Sequence, residues 1–291
     1  MIGIVGTVPD PQMPVIHGKV RLVESGIEID GRRIAVNRCT PALIAAALRA
    51  VECLRGPEIY AFLAGDIGRG DGSRRLYRFL EAQLPEFAFQ VLVFHYLQPD
   101  VDWHNRVLFA VEKMAGRPIL IADAGFMYAA KMSGQAEACD FFTPDAGELA
   151  FLADELAPHP FYTRGFILHQ NGNVPKLIRK ACRHRNAARY LLVKGASDTI
   201  AHRQQVVETV SHPAVDAMEA IGGTGDSLTG LLAASSGAGF DAVEAARLAA
   251  KTNRLAGCYA GCNPATPVCE LIDHIPRALS EVLGRGTISA P

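Results

Sequence analysis

The sequence predicts an α/β protein of three layers, with helices on both faces of a mainly parallel central sheet. Short, almost continuous apolar runs recur at 59–64, 89–94, 118–122 and 190–193, the pattern of parallel strands buried on both faces. Amphipathic stretches of helical period fill the gaps between them, and that alternation builds layered α/β domains. The 291 residues are 49% hydrophobic and 20% charged, enough apolar material for one large core.

In chain order, residues 1–36 stand apart. They are glycine-rich, with strand-like runs at 20–23, 26–30 and 33–36, and read as a β-rich addition or lid ahead of a main domain over 37–291. Thr40 then offers an N-cap followed by Pro41 in the first turn. Leu43, Ala47, Ala50, Val51 and Leu54 share one helical face. Further helices are expected over 73–83, 104–115, 146–156 and 174–185. The strand at 190–193 continues into a meander through 199–201 and 206–210. Asp241 and Glu244 form a capping box for a long Ala-rich helix. Its small residues suit close contact within or between subunits, so a homo-oligomer is one expectation.

Twenty-nine Lys and Arg against 30 Asp and Glu leave a net charge of −1, so there is no basic field for nucleic acid or an anionic membrane. No run approaches the roughly 18 apolar residues of a membrane span, and the N-terminus has no basic segment of a signal peptide. Seven cysteines, an odd number without a repeating pattern, point to reduced thiols and a cytoplasmic protein. Cys258, Cys262 and Cys269 fit no common zinc spacing and read as structural.

Four segments carry candidate chemistry. Gly222, Gly223, Thr224, Gly225 and Asp226 run into a helix. Glycines allow close backbone approach, and the helix start supplies free N–H groups and a positive dipole end, together an anion site. A carboxylate beside bound phosphate is repelled unless it serves to take a proton from an attacking hydroxyl; an ordinary N-cap is the plainer alternative. Thr143, Pro144, Asp145, Ala146, Gly147 and Glu148 place two carboxylates on a first helical turn, able to steer Mg²⁺ through water or simply to cap the helix. Lys194 and Gly195 end a strand, where the lysine can reach a phosphate or remain solvated. The loop 65–72, rich in glycine, lies where open α/β sheets place binding loops, yet fits neither common phosphate fingerprint.

Together these segments resemble the ribokinase-like superfamily, and within it the ADP/ATP-dependent NAD(P)H-hydrate dehydratases, over about residues 118–260. The family's Gly-Gly-Thr-Gly-Asp signature is present unaltered at 222–226. The resemblance implies a ribokinase-like fold, ATP or ADP with Mg²⁺, and Asp226 as catalytic base. It assigns nucleotide binding to Lys194, Gly195, Ala196, Ser197, Thr199, Gly222, Gly223, Thr224, Gly225 and Asn253. Thr40, Ala46, Asp123 and Asp145 are implied to face a small-molecule substrate, and Glu148 with Asp145 to serve the metal. The chain departs from the family's pattern at several positions. Asp145 replaces the histidine of Thr-Pro-His-Pro-Gly-Glu, and resembles the Asn-x-x-Glu metal motif of the kinases about as well. Asp198 stands at the usual Thr position of the Lys-Gly-x-x-Thr loop. A pair of aspartates is reduced to Asp123. The implied activity is a dehydratase for hydrated NAD(P)H, with a kinase of a small alcohol, such as a sugar or hydroxyethylthiazole-like compound, as the alternative. A non-catalytic nucleotide-binding protein on the same fold is a third reading.

Overall fold

Alternate residues of one strand set up the layering. In β1 (Ile2–Val8), Ile2 and Ile4 enter one apolar core and Val5 the other, as the two-residue period of a strand requires. The computed structural model describes residues 1–24, 26–159 and 173–284. Among the described residues six parallel strands run side by side in the order β5 (Ile59–Gly65), β1, β6 (Val91–His95), β7 (Ile119–Ala122), β8 (Phe141–Phe142) and β9 (Tyr190–Val193). Antiparallel strands extend both edges, β10 (Asp198–His202) and β11 (Gln205–Val210) beyond β9. Beyond β5 lie β2 (Ile16–Val23), β3 (Gly26–Ile29) and β4 (Arg32–Ala35).

One face is covered by α1 (Cys39–Leu54), α7 (Thr224–Gly237), α8 (Ala242–Tyr259), α9 (Val268–Asp273) and α10 (Ile275–Val282). The other is covered by α2 (Asp71–Gln83), α3 (Val101–Glu112), α4 (Ala124–Met132), α5 (Ala146–Ala153) and α6 (Val174–Arg183). The three-layer α/β architecture with a mainly parallel sheet is therefore as the apolar runs imply. Small residues serve close helix contact inside the chain. A Cβ on Gly230 of α7 would lie 2.2 Å from the Leu43 carbonyl oxygen of α1, and Ala245, Ala246, Ala249, Ala250 and Ala256 of α8 are buried in the same core. No helix of the described residues is long and apolar enough to cross a membrane.

Four expectations need correction. Ile2–Val8 is no part of a peripheral addition: it pairs in parallel with both β5 and β6, and all seven residues are buried. Only β2 to β4 form the edge ribbon. Thr40 does not cap α1, which starts at Cys39 after Arg38; its hydroxyl is turned inward to His95. At α8, Asp241 accepts from the Val243 and Glu244 N–H groups, but the Glu244 carboxylate is drawn to Arg247 rather than back to the cap. Similarly, α3 begins earlier than its apolar period because Asp100 caps it, accepting from the Trp103 N–H at 3.1 Å.

Candidate active site

The parallel strands all end on one side of the sheet, and their last residues converge with the start of α7. A cavity of about 630 Å³ opens there, bordered by Tyr96, Asp123, Glu148, Lys194, Gly225 and Asp226, among others. Open α/β sheets place ligands at this edge.

Asp226 lies in the first turn of α7 and is only 6% exposed. Its carboxylate borders the cavity and is held from behind by the protein. Oδ2 accepts the Cys39 N–H at 2.6 Å, and Oδ1 lies 3.1 Å from Nε2 of His95. Burial pushes the Asp226 carboxyl upward, but the His95 hydrogen bond, Lys194 and the Cys39 N–H outweigh it. The group rests below the usual carboxylate range and stays ionised. Cys39 reaches this position in left-handed backbone, φ 61, a conformation a non-glycine residue adopts only under local constraint.

The turn ahead of Asp226 is open. Gly223 is the N-cap of α7 at φ 107, and no side chain caps the helix. The Thr224 hydroxyl donates to the Met218 and Ile221 carbonyls, so the first-turn N–H groups have no acceptor within the helix. Asn253 supports the turn from α8, donating to the Thr224 carbonyl at 3.1 Å and accepting from the Ser227 hydroxyl at 2.7 Å. Gly222 is exposed beside Arg38, outside the cavity wall.

Lys194 directly follows β9 and its stem runs over Gly225, whose added Cβ would sit 3.3 Å from the lysine Cδ. Its Nζ donates to both oxygens of Asp123 at 3.0 Å. Burial works against the ammonium, yet Asp123 and Glu148 raise its pKa and keep it charged. Asp123, 1% exposed, also accepts the Thr229 hydroxyl at 2.9 Å and the Ala124 N–H at 2.8 Å. The lysine expected to meet phosphate and the aspartate expected to meet substrate thus hold each other.

Asp145 and Glu148 form a full capping box. The Glu148 N–H donates to Asp145 Oδ1 at 2.7 Å, and the Asp145 N–H donates to Glu148 Oε2 at 2.8 Å. Tyr128 donates its hydroxyl to Glu148 Oε1. Burial drives the Glu148 carboxyl up to about 7, with Lys194 opposing and Asp123 and Asp145 adding to the rise. Both carboxylates nevertheless border the cavity. No cluster of three or more His, Cys, Asp or Glu suited to a metal occurs among the described residues. Two hydrogen-bonded carboxylates fit Mg²⁺ taken mostly through water and phosphate oxygens, the usual manner of that ion.

Gly195 and Ala196 line the cavity, but exposed Ser197 and Thr199, buried within β10, do not. Asp198 takes the structural role in this loop, accepting from Arg254 Nε at 2.7 Å, while Arg254 Nη2 donates to the Gly195 carbonyl at 2.8 Å. Ala46 is fully buried in the core and contributes nothing to the cavity wall. Thr40, also fully buried, reaches the site only through His95. The loop 65–72 is closed to outside anions. Its Asp66 carboxylate takes the N–H groups of Gly68, Arg69, Gly70 and Ser73 at 2.8–3.0 Å.

Sequence reasoning missed His95, Tyr96 and Arg254. His95 and Tyr96 directly follow the apolar run 89–94, where a parallel strand delivers side chains to a site, and that position was the available signal. Tyr96 is 46% exposed at the cavity mouth with φ 52.

The fold is that of ribokinase-like proteins. A ribokinase-like superfamily protein of Enterococcus faecalis matches with TM-score 0.57 at 15% identity, covering 96% of this chain and 86% of that one. The ADP/ATP-dependent NAD(P)H-hydrate dehydratase of Bacillus subtilis, crystallised with ATP/Mg²⁺ and soaked with CoA, matches with TM-score 0.58 at 14% identity, covering 96% and 91%. A carbohydrate-kinase family model described as NAD(P)H-hydrate dehydratase matches residues 98–277, more than half of the chain, and the protein belongs to that family. An uncharacterised protein of Methanocaldococcus jannaschii is 38% identical over 242 residues, 83% of this chain and 100% of that protein. The bifunctional NAD(P)H-hydrate repair enzyme Nnr of Pyrobaculum aerophilum is 27% identical over 277 residues, 90% of this chain but 50% of that protein.

Proposed function

We propose that this protein is a nucleotide-dependent dehydratase that restores hydrated NADH or NADPH. One observation carries the reading: an ionised carboxylate, Asp226, stands beside an uncapped glycine turn, and both open on the same cavity. Asp226 takes the proton of the hydrate's hydroxyl, whose oxygen then forms a bond to the terminal phosphorus of ATP or ADP. The bond from that phosphorus to the departing nucleotide breaks. Backbone N–H groups of Gly223, Thr224 and Gly225 and the helix dipole stabilise charge on the transferring group. In the second step the C–O bond breaks and inorganic phosphate leaves, taking the proton of the adjacent ring carbon as the double bond is restored. Asp145 and Glu148 would hold Mg²⁺, which neutralises phosphate charge. Gly195 and Ala196 present a small-residue wall for the nucleoside.

The runner-up, a small-alcohol kinase, draws support from Asp123. Its oxygens are committed to Lys194, Thr229 and its own helix start, leaving the substrate wall unlike that implied for the dehydratases. Product analysis separates the two, since a kinase accumulates a phosphate ester and a dehydratase releases inorganic phosphate with the restored dinucleotide. Asp226→Asn is expected to lower kcat by about 10²–10⁴ with ATP affinity nearly unchanged by calorimetry. Wild-type turnover in that variant removes Asp226 from the chemistry.

A further inference from the structure

His95 closes β6, is fully buried, and takes no part in the cavity wall. Its ring is nevertheless wired to the site at both nitrogens. Nε2 lies 3.1 Å from Asp226 Oδ1 and 3.8 Å from Asp123 Oδ2, and Nδ1 lies 3.0 Å from the Thr40 hydroxyl. A bond from imidazole to an ionised carboxylate needs its hydrogen on Nε2. Nδ1 of a neutral ring is then an acceptor, and the Thr40 hydroxyl is placed to donate to it.

The burial makes this wiring consequential. Asp226 and Asp123 bring two negative charges into a poorly hydrated spot, and Lys194 supplies one positive charge. A buried carboxylate without strong donors protonates instead of staying charged. Lys194 bonds Asp123 with both contacts, so Asp226 depends on the His95 ring and the Cys39 N–H.

We propose that His95 is a positioning residue for Asp226: its Nε2–H holds the carboxylate ionised and oriented, and Thr40 fixes the tautomer that makes this possible. The role rests on the reading of Asp226 as the base. The groups facing the pair are Cys39 from α1, Tyr96 from the end of β6, Asp123 from the β7–α4 junction and Lys194 from β9. Tyr96 packs edge-on against the His95 ring at 4.4 Å. Without the His95 donor, burial dominates, and Asp226 protonates at higher pH.

The test follows the Asp226 carboxyl by ¹³C NMR, assigned by its loss in Asp226→Asn, alongside the pH profile of turnover. His95→Leu is expected to raise the Asp226 midpoint by about one unit or more. The acid limb of kcat should move up by the same amount, while KM for the nucleotide stays put. Thr40→Val is expected to shift both in the same direction, and Thr40→Ser to restore wild-type values. Should His95→Leu fail to fold, the two Thr40 variants carry the test by themselves. An unchanged Asp226 midpoint alongside an inactive Asp226→Asn overturns the role of His95 alone. Full turnover in Asp226→Asn overturns the base assignment and this role with it.

Discussion

Two glycine-rich turns in this molecule have the same backbone ingredients and opposite uses. The turn at 65–72 leads into α2 through Gly70 at φ 81, and the turn at 222–226 leads into α7 through Gly223 at φ 107. Each helix start offers free N–H groups, and each has an aspartate nearby. Asp66 lies ahead of its N-cap and folds its carboxylate over the N–H groups of the turn. Asp226 lies after its N-cap and faces His95 and Cys39 instead. One turn is filled by its own anion and becomes a structural joint. The other has no side-chain cap and leaves its donors open, as the proposed phosphate site requires.

The sharpest way to break the contrast is Gly72→Ala. Its Cβ would fall 2.0 Å from the Gly65 carbonyl oxygen, a backbone clash that no rotamer relieves. Denaturant unfolding should show a loss of about 3 kcal/mol or more; a wild-type midpoint would mean that the joint is not rigid. Next in size is Asp66→Ala, which strips the acceptor from four N–H groups and should cost about 1–3 kcal/mol at pH 7, while KM for ATP stays as in wild type. The hydrogen bonds outweigh burial and hold the Asp66 carboxyl below its usual range. Its contribution is therefore present above the unfolded-state value and is lost as pH falls through the folded-state value. The wild-type advantage over Asp66→Ala should shrink in acid, and a gap independent of pH would show that ionised Asp66 is not what holds the turn. The smallest effect is expected for Gly225→Ala. The new methyl meets only the flexible Lys194 stem, 3.3 Å away, and alanine favours the helix by about 1 kcal/mol. Tm should hold or rise, while on the proposed reading the methyl would stand in the path of the phosphate and should weaken ATP binding about tenfold, roughly 1.4 kcal/mol. Unaltered ATP affinity would place the phosphates elsewhere.

Legibility in the sequence followed the range of the forces involved. The strand at 190–193 could be bounded because burial on both faces leaves a continuous apolar run. The glycine turn and Asp226 were visible because all their parts lie within five consecutive residues. β1 escaped notice because Gly3 and Gly6 interrupt its apolar run. Those glycines answer to crowding from distant chain: a Cβ on Gly6 would lie 2.3 Å from the Thr40 hydroxyl oxygen. The His95–Asp226 contact spans 131 positions, and no local pattern announces it. In the β9–β10 loop, the motif directed attention to Ser197 and Thr199. A buried ion pair between Asp198 and Arg254, 56 positions on, decides the loop's shape instead.

The central place of β1 has a consequence for how the protein is made. Ile2 pairs with Ile59 on one side and Val91 on the other. At ribosomal rates of about 5–20 residues per second, roughly 5–20 s separate synthesis of this strand from that of its second neighbour. During that interval a largely apolar segment waits with the edge that β6 will cover still unpaired. The residue that finally closes β6 beside it is His95. The middle of the sheet and the support behind Asp226 are thus completed by the same few residues of growing chain.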